Sequence, residues 1–330
     1  MTRRHLSLLL RMAIGIALLV WVVRRVDFSQ AAKLSLSSLR IEWVLLSLTL
    51  GGLSVLGWAL RWHLFLKMHD LKPKLGETVR LTLFADFFNL YFLGPLGADG
   101  LRILMLSRSI PNRKKAIASS ILLDHASGMF GGAILYALFT RPQAPWLMAG
   151  GGIVSKAVLL ATDCSLGLFG FITFMGLVLI NHACVHDLIT KRLNMPWMVK
   201  PLVPFMFLRN HRMEMVLALA VSVMTMLCNY GAYWAAGCAA GFIVPPQKLL
   251  AIMPMVDVVT SLPITISGIG VRENLFVELL GHKFAFGAPG ALAVSLLGFA
   301  AVGVWGLIGG IWLAVHQWKT GLKIAAQEAK

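Results

Sequence analysis

Pro263-Ile264-Thr265-Ile266-Ser267-Gly268-Ile269-Gly270-Val271-Arg272-Glu273-Asn274 lies deep in an apolar region, yet it cannot be one unbroken helix. Pro263 lacks an N–H and blocks the preceding turn. Gly268 and Gly270 each cost about 1 kcal/mol in a helix interior. Arg272 and Glu273 follow at once. Irregular backbone and charge at membrane depth persist only where protein covers them or water reaches them. The stretch therefore predicts a helix that enters, breaks over Pro263–Gly270 and restarts with Arg272 and Glu273 in its first turn. A helix start presents free N–H groups and a partial positive charge, which favour an anion, and Arg272 adds to both.

An earlier stretch has the same grammar: Gly94-Pro95-Leu96-Gly97-Ala98-Asp99-Gly100-Leu101-Arg102-Ile103. Gly100-Leu101-Arg102 matches Gly270-Val271-Arg272, each after a proline and each inside an apolar segment. Paired Gly/Pro-interrupted segments in two halves of a membrane chain point to a transporter binding site.

Composition sets the class. Of 330 residues, 58% are hydrophobic and only 13% charged, against about 25% charged in a soluble domain. The expected fold is all-α, a polytopic integral membrane protein. The net charge of +16 does not imply nucleic acid, because basic residues cluster between apolar runs, as at Arg113-Lys114-Lys115 and Lys191-Arg192. Cys164, Cys184, Cys228 and Cys238 form no Cys-x-x-Cys and read as inert thiols. His182, Cys184 and His186 have one-face spacing, but at a span's end they read as interfacial polar residues, and no metal is expected.

Taken in order, a first uncleaved span ends near Val23, and Ile41–Leu60 is the second. Arg61, Lys67, Lys72, Lys74 and Arg80 form a basic loop, expected in the cytoplasm. Leu81–Leu106 is the first broken segment. Basic residues on both flanks make it a re-entrant hairpin. Ala116–Phe139 crosses, carrying Asp124 and His125. Trp146–Thr162 and Leu166–Ala183 are both apolar, and the basic-loop rule favours a surface position for the first and a crossing for the second. Met215–Ala240 crosses, Leu249–Leu280 is the second broken segment, and Gly290–Val315 returns. The expectation is about six full spans plus two hairpins, in one domain over 1–330. Its halves, about 6–140 and 165–316, are inverted, so the hairpins enter from opposite faces.

The quoted motifs, with Leu123-Asp124, Ala293-Val294-Ser295-Leu296-Leu297 and Gly309-Gly310, resemble the lysylphosphatidylglycerol synthase transmembrane-region, or flippase-like domain, family. The resemblance covers roughly residues 10 to 315, and Leu262–Glu273 is its specific part. Family members often place Arg where His125 stands. The resemblance implies the lipid-translocating half of such proteins without the aminoacyl-transfer domain, since the sequence ends at Lys330 soon after its last expected span.

Arg102 and Arg272 are the leading candidates, as clamps for a lipid phosphate. Asp99, Glu273, Asp124 and Asp257 would balance them or carry protons, and Asp86 joins this group. Gly100, Gly270, Pro95 and Pro263 would shape the breaks. Alternatively the arginines make structural pairs, Arg102 with Asp86 and Arg272 with Asp257. No nucleophile, metal cluster or phosphate loop accompanies the carboxylates, so neither catalysis nor a cofactor is expected. The tryptophans, Trp62 included, read as interfacial anchors. Gly303, Gly306, Gly309 and Gly310 give the last span a face for close packing. The expected function is a lipid translocase of a bacterial-type inner membrane. Its expected partners are a membrane lipid and a lipid-modifying enzyme or glycosyltransferase. The alternative is a non-transporting scaffold for such an enzyme.

Overall fold

The computed structural model describes residues 20, 39–149, 152–181, 208, 210–262 and 265–328, with side chains described except at 92, 93, 95, 171–181, 266 and 316–328. The described elements are helical: α1 (Ile41–Met68), α2 (Leu75–Phe88), α3 (Gly94–Ser109), α4 (Lys114–Leu135), the short α5 (Ala144–Met148), α6 (Ile153–Asn181), α7 (Arg212–Ala239), α8 (Pro246–Ser261), α9 (Val271–Phe276) and α10 (Gly287–Glu328). Among the described residues five helical stretches are long and apolar enough to cross a membrane: Ile41–Met68, Lys114–Met148, Ile153–Gly170, Arg212–Ala239 and Gly287–Val315. The molecule is an all-α polytopic membrane protein. The expected first span lies outside the described residues.

The helices of 14 and 16 residues, α2 and α3, are too short to cross. At 1.5 Å per residue they reach about 21–24 Å, against about 30 Å of hydrocarbon. They form a hairpin instead. The Ser109 hydroxyl donates to the Glu77 carboxylate at 2.9 Å, tying the end of α3 to the first turn of α2. The break is a π-helical turn, Asn89–Leu93, followed by Gly94 at φ +64°, a conformation that glycine adopts without penalty. Pro95 falls in the first turn of α3, where its missing N–H leaves no bond unmade.

The second hairpin is α8, a short 3-10 turn (Ile266–Gly268), α9 and a π-helical turn (Val277–Gly281). Its reversal is concentrated in Ser267, Gly268 and Gly270, all left-handed at φ +54°, +71° and +84°. Pro263 lies outside the described residues. The two flanks of this hairpin also meet. Lys248 and Lys283 both lie over the Trp146 ring, at 4.2 and 5.0 Å, and Lys283 donates to the Trp146 and Ala149 carbonyls.

These closures fix the direction of each hairpin. Hairpin one closes beside the start of α4, and hairpin two closes on Trp146, beyond the end of α4. The hairpins therefore enter from opposite ends. The long helices agree. Ser47 bonds to Ala232 of α7, Gly57 faces Thr225 and Arg61 reaches Ser222, so α1 and α7 run antiparallel.

Helix α10 crosses both hairpins in succession. Ser295 and Phe299 meet hairpin two, through Glu273 and Arg272. Gly303, Gly306, Gly309 and Gly310 meet hairpin one. A Cβ at Gly309 would sit 2.2 Å from the Leu83 carbonyl oxygen, and one at Gly310 2.5 Å from the Phe87 ring. The glycine face expected for close packing thus seats α2 within the chain.

Three expectations need correction. The crossing placed at Leu166–Ala183, with Trp146–Thr162 on the surface, is one helix from Ile153 to Asn181. Nothing between these ends breaks a helix, and Lys156 near its start is exposed. Helix α1 does not stop at Leu60 but runs to Met68, because Trp62, Phe65 and Leu66 continue its buried face through Arg61. Trp62 is fully buried and donates to Ser120 at 3.1 Å, so it is no interfacial anchor. The His182–His186 run lies outside the described residues.

Candidate functional site

Two charged clusters flank the point where the hairpin tips touch. The contact itself is polar: the Ser267 hydroxyl is 2.6 Å from the Asn89 carbonyl oxygen and 2.9 Å from that of Leu90. Carbonyls are left over at this break because the π-helical turn ends the regular ladder, and hairpin two supplies a donor to them.

The first cluster joins α1, α3 and α4 around Asp124, which is 2% exposed. Arg61 Nε donates to Asp124 Oδ1 at 2.6 Å, and Arg102 Nη1 lies 3.5 Å from Asp124 Oδ2. One carboxylate therefore bridges two guanidinium groups. Arg102 also lies 3.9 Å from Asp99 and over the Trp62 ring at 5.0 Å, while its Nε has no hydrogen-bond partner. Asp99 in turn accepts from His125 at 2.7 Å. His125, where family members often carry Arg, thus has a carboxylate partner in Asp99. Gly128, one turn after Asp124, leaves room for Arg61, whose Nη1 would be 3.0 Å from a Cβ there.

The second cluster surrounds the start of α9. Glu273, 1% exposed, accepts from the Gly270 N–H at 2.6 Å and lies 3.3 Å from the Ser295 hydroxyl. Arg272 donates to the Ser267 carbonyl and lies 4.2 Å over the Phe299 ring. Its Nη1, 3.9 Å from Glu273, has no hydrogen-bond partner. Asp257 accepts from Tyr230 at 2.6 Å.

The structure thus brings Arg102, Asp99 and Asp124 into one cluster and Arg272 and Glu273 into another. Asp257 pairs with a tyrosine and not with Arg272, and Arg102 pairs with Asp124 and not with Asp86. Two readings of the helix starts are corrected. Arg102 is in the middle of α3, because the helix begins at Gly94 and runs through Gly100. A Cβ at Gly100 would meet no atom within 4 Å, so this glycine is not at a break. The start of α9 is not free for an anion, since Glu273 already accepts from the Gly270 N–H. Arg61 was read as a loop residue because it follows the apolar run. A signal for it existed on α4, where Ser120, Asp124 and Ser127 share one helix face and mark a buried polar stripe that needs partners.

The family model of the lysylphosphatidylglycerol synthase TM region matches residues 8–310 of the 330-residue chain. The chain belongs to that family. No curated protein matches it. The matched span takes in both hairpins and both clusters of this family member. An apolar cavity of about 270 Å³ lies between α1, α7 and α10, lined by Val44, Leu48, Ala236, Ala300, Ala301 and Val304. It occupies the opposite face of α10 from Phe299 and Gly303, so it does not adjoin the charged clusters directly.

Proposed function

We propose that the protein is a lipid translocase, moving or presenting a lipid whose headgroup passes the hairpin junction while its acyl chains stay in the bilayer. The observation that carries this reading is the tip-to-tip meeting of two half-length hairpins that enter from opposite ends, with a buried arginine on each side. Such a junction places polar, hydrogen-bonding backbone at mid-depth, where a headgroup needs it. Arg102 Nε and Arg272 Nη1 each retain an unmade hydrogen bond, which a phosphate oxygen can accept. The lipid is passed on chemically unaltered, and a lipid-modifying enzyme or glycosyltransferase of the same bacterial inner membrane supplies or uses it.

The test is reconstitution in vesicles with headgroup-labelled phosphatidylglycerol and, separately, a labelled polyprenyl phosphate, followed by leaflet-specific quenching. Accelerated exchange that falls in Arg102→Ala and Arg272→Ala supports the reading. Exchange of both lipids at the protein-free rate rejects it. The second reading is a non-transporting scaffold, favoured by Asp124 bridging two arginines, which is also how an ion pair fixes three helices. A scaffold keeps its partner enzyme's output in the Arg102→Ala variant wherever the protein still accumulates.

A further inference from the structure

The arginines do not account for all the carboxylates. Asp124 is shared by Arg61 and Arg102, Asp99 by Arg102 and His125, and Glu273 caps Gly270 beside Arg272. Asp86 and Asp257 remain. Among the described residues neither has a cation within ion-pair distance. Asp86 is 7% exposed, and its Oδ2 has no hydrogen-bond partner.

Each carboxylate occupies the first helix of its hairpin. Asp86 stands sixteen residues before Arg102, and Asp257 fifteen before Arg272. Their surroundings differ in one respect: Asp257 accepts from Tyr230 at 2.6 Å, whereas Asp86 Oδ2 has no partner. Asp86 faces Asn89 and Tyr91 on its own hairpin and Arg102 on α3, whose other neighbour is Asp99. Helix α1 brings Arg61, already paired with Asp124, and His63, held by Thr78. The described side chains of α10 carry no charge. Asp257 faces Tyr230 and Tyr233 on α7 and Arg272 on α9, and Glu273 approaches the same Tyr233. At the junction of α4 and α6, Asp163 is engaged by Tyr136 and Arg141.

A buried carboxylate without a cation is costly to keep ionised, and binding a proton removes that cost. Asp86 is buried and Asp257 partly buried, and because the hairpins enter from opposite ends, one of the two belongs to each side of the junction. We propose that Asp86 and Asp257 are proton-binding sites that couple headgroup passage to proton movement. A proton is taken up on the carboxylate from one face and released to the other, with no other bond made or broken. The coupling rests on the translocase reading, and the proton sites do not.

Infrared pH titration of the purified full chain in phosphatidylglycerol–phosphatidylcholine vesicles tests the sites without any transport. The expected result is a protonated-carboxyl band at neutral pH. Asp86→Asn and Asp257→Asn each remove one component of it, Asp86→Glu shifts it, and Asp70→Asn leaves it intact. Absence of a component sensitive to either asparagine change overturns the paired sites. Exchange of headgroup-labelled phosphatidylglycerol is then measured with and without a pH gradient. Acceleration by the gradient in the wild type and not in the double asparagine variant supports coupling. Exchange indifferent to the gradient overturns it. Intact infrared bands with no exchange of either lipid would overturn the translocase reading and the coupling, and leave the proton sites standing.

Discussion

Hairpin one is held from outside itself, whereas hairpin two largely caps itself. In the first, Arg102 reaches across to Asp124 on α4, and α2 lies with its backbone against the glycines of α10. In the second, Glu273 closes the start of its own helix and Arg272 donates to Ser267 five residues back. The same Gly-apolar-Arg string thus serves two geometries. Gly270 sits at a left-handed turn immediately before a helix, and Gly100 sits inside one. Matching local sequence in inverted halves sets where charge enters the membrane. What that charge touches is set by the neighbouring helix.

The comparison breaks most forcefully at Asp124. Asp124→Ala leaves Arg61 buried without its carboxylate and leaves Arg102 only Asp99, at 3.9 Å, and removing one member of a buried pair costs about 3–5 kcal/mol. Protein yield and Tm in detergent should fall sharply, more than for any single change at Arg272. A Tm near wild type would mean that hairpin one is not held by this bridge. Next is Gly309→Ala, whose methyl would press on the Leu83 carbonyl, with overpacking typically costing about 1–3 kcal/mol. Gly100→Ala is its control. With open space around it and a helical position, that change should raise stability by about 1 kcal/mol. If the two substitutions have equal effects, the glycine seat is wrong.

Smaller is Glu273→Gln, which keeps an acceptor for Gly270 but loses the charge, an effect of about 1 kcal/mol. A loss as large as that of Asp124→Ala would show that hairpin two also depends on an ion pair. Smallest is a pH effect at the base of hairpin one. Burial holds the His69 ring below its ordinary value of 6.5, with Arg113 and His211 adding to the shift while Phe65 and Asp70 oppose it. The unfolded chain then binds the proton first, so stability is full above about pH 6.5 and declines as the pH falls through the folded value. The Tm should drop modestly between pH 7.5 and 5.5, and His69→Gln should flatten that drop.

The hairpins were legible because their signals are local. Proline, clustered glycines and basic flanks act within a few residues. The second break falls inside the expected stretch, at Ser267–Gly270, whereas the first falls at Asn89–Gly94, ahead of Gly97 and Gly100. The long helices were legible as apolar runs, but their ends were not. Arg61 looked like a terminator by charge alone, and only Asp124, sixty-three residues later, makes it a buried residue. The start of α3 was missed for a related reason. Gly97 and Gly100 weaken a helix in isolation, yet α3 packs against α2 and α4 and continues through both. The glycine face of the last span was visible as a pattern, and its partner, α2, was not.

The two hairpins enter from opposite ends and meet at Ser267 and Asn89. Single-cysteine variants in a cysteine-free background test this arrangement most directly, using Lys72→Cys and Lys115→Cys at the flanks of hairpin one and Gln247→Cys and His282→Cys at those of hairpin two. All four positions are exposed. A membrane-impermeant thiol reagent added to oriented vesicles should label the first two from one side only and the last two from the other side only. Labelling of 72 and 115 from opposite sides, or of all four from the same side, would contradict the account.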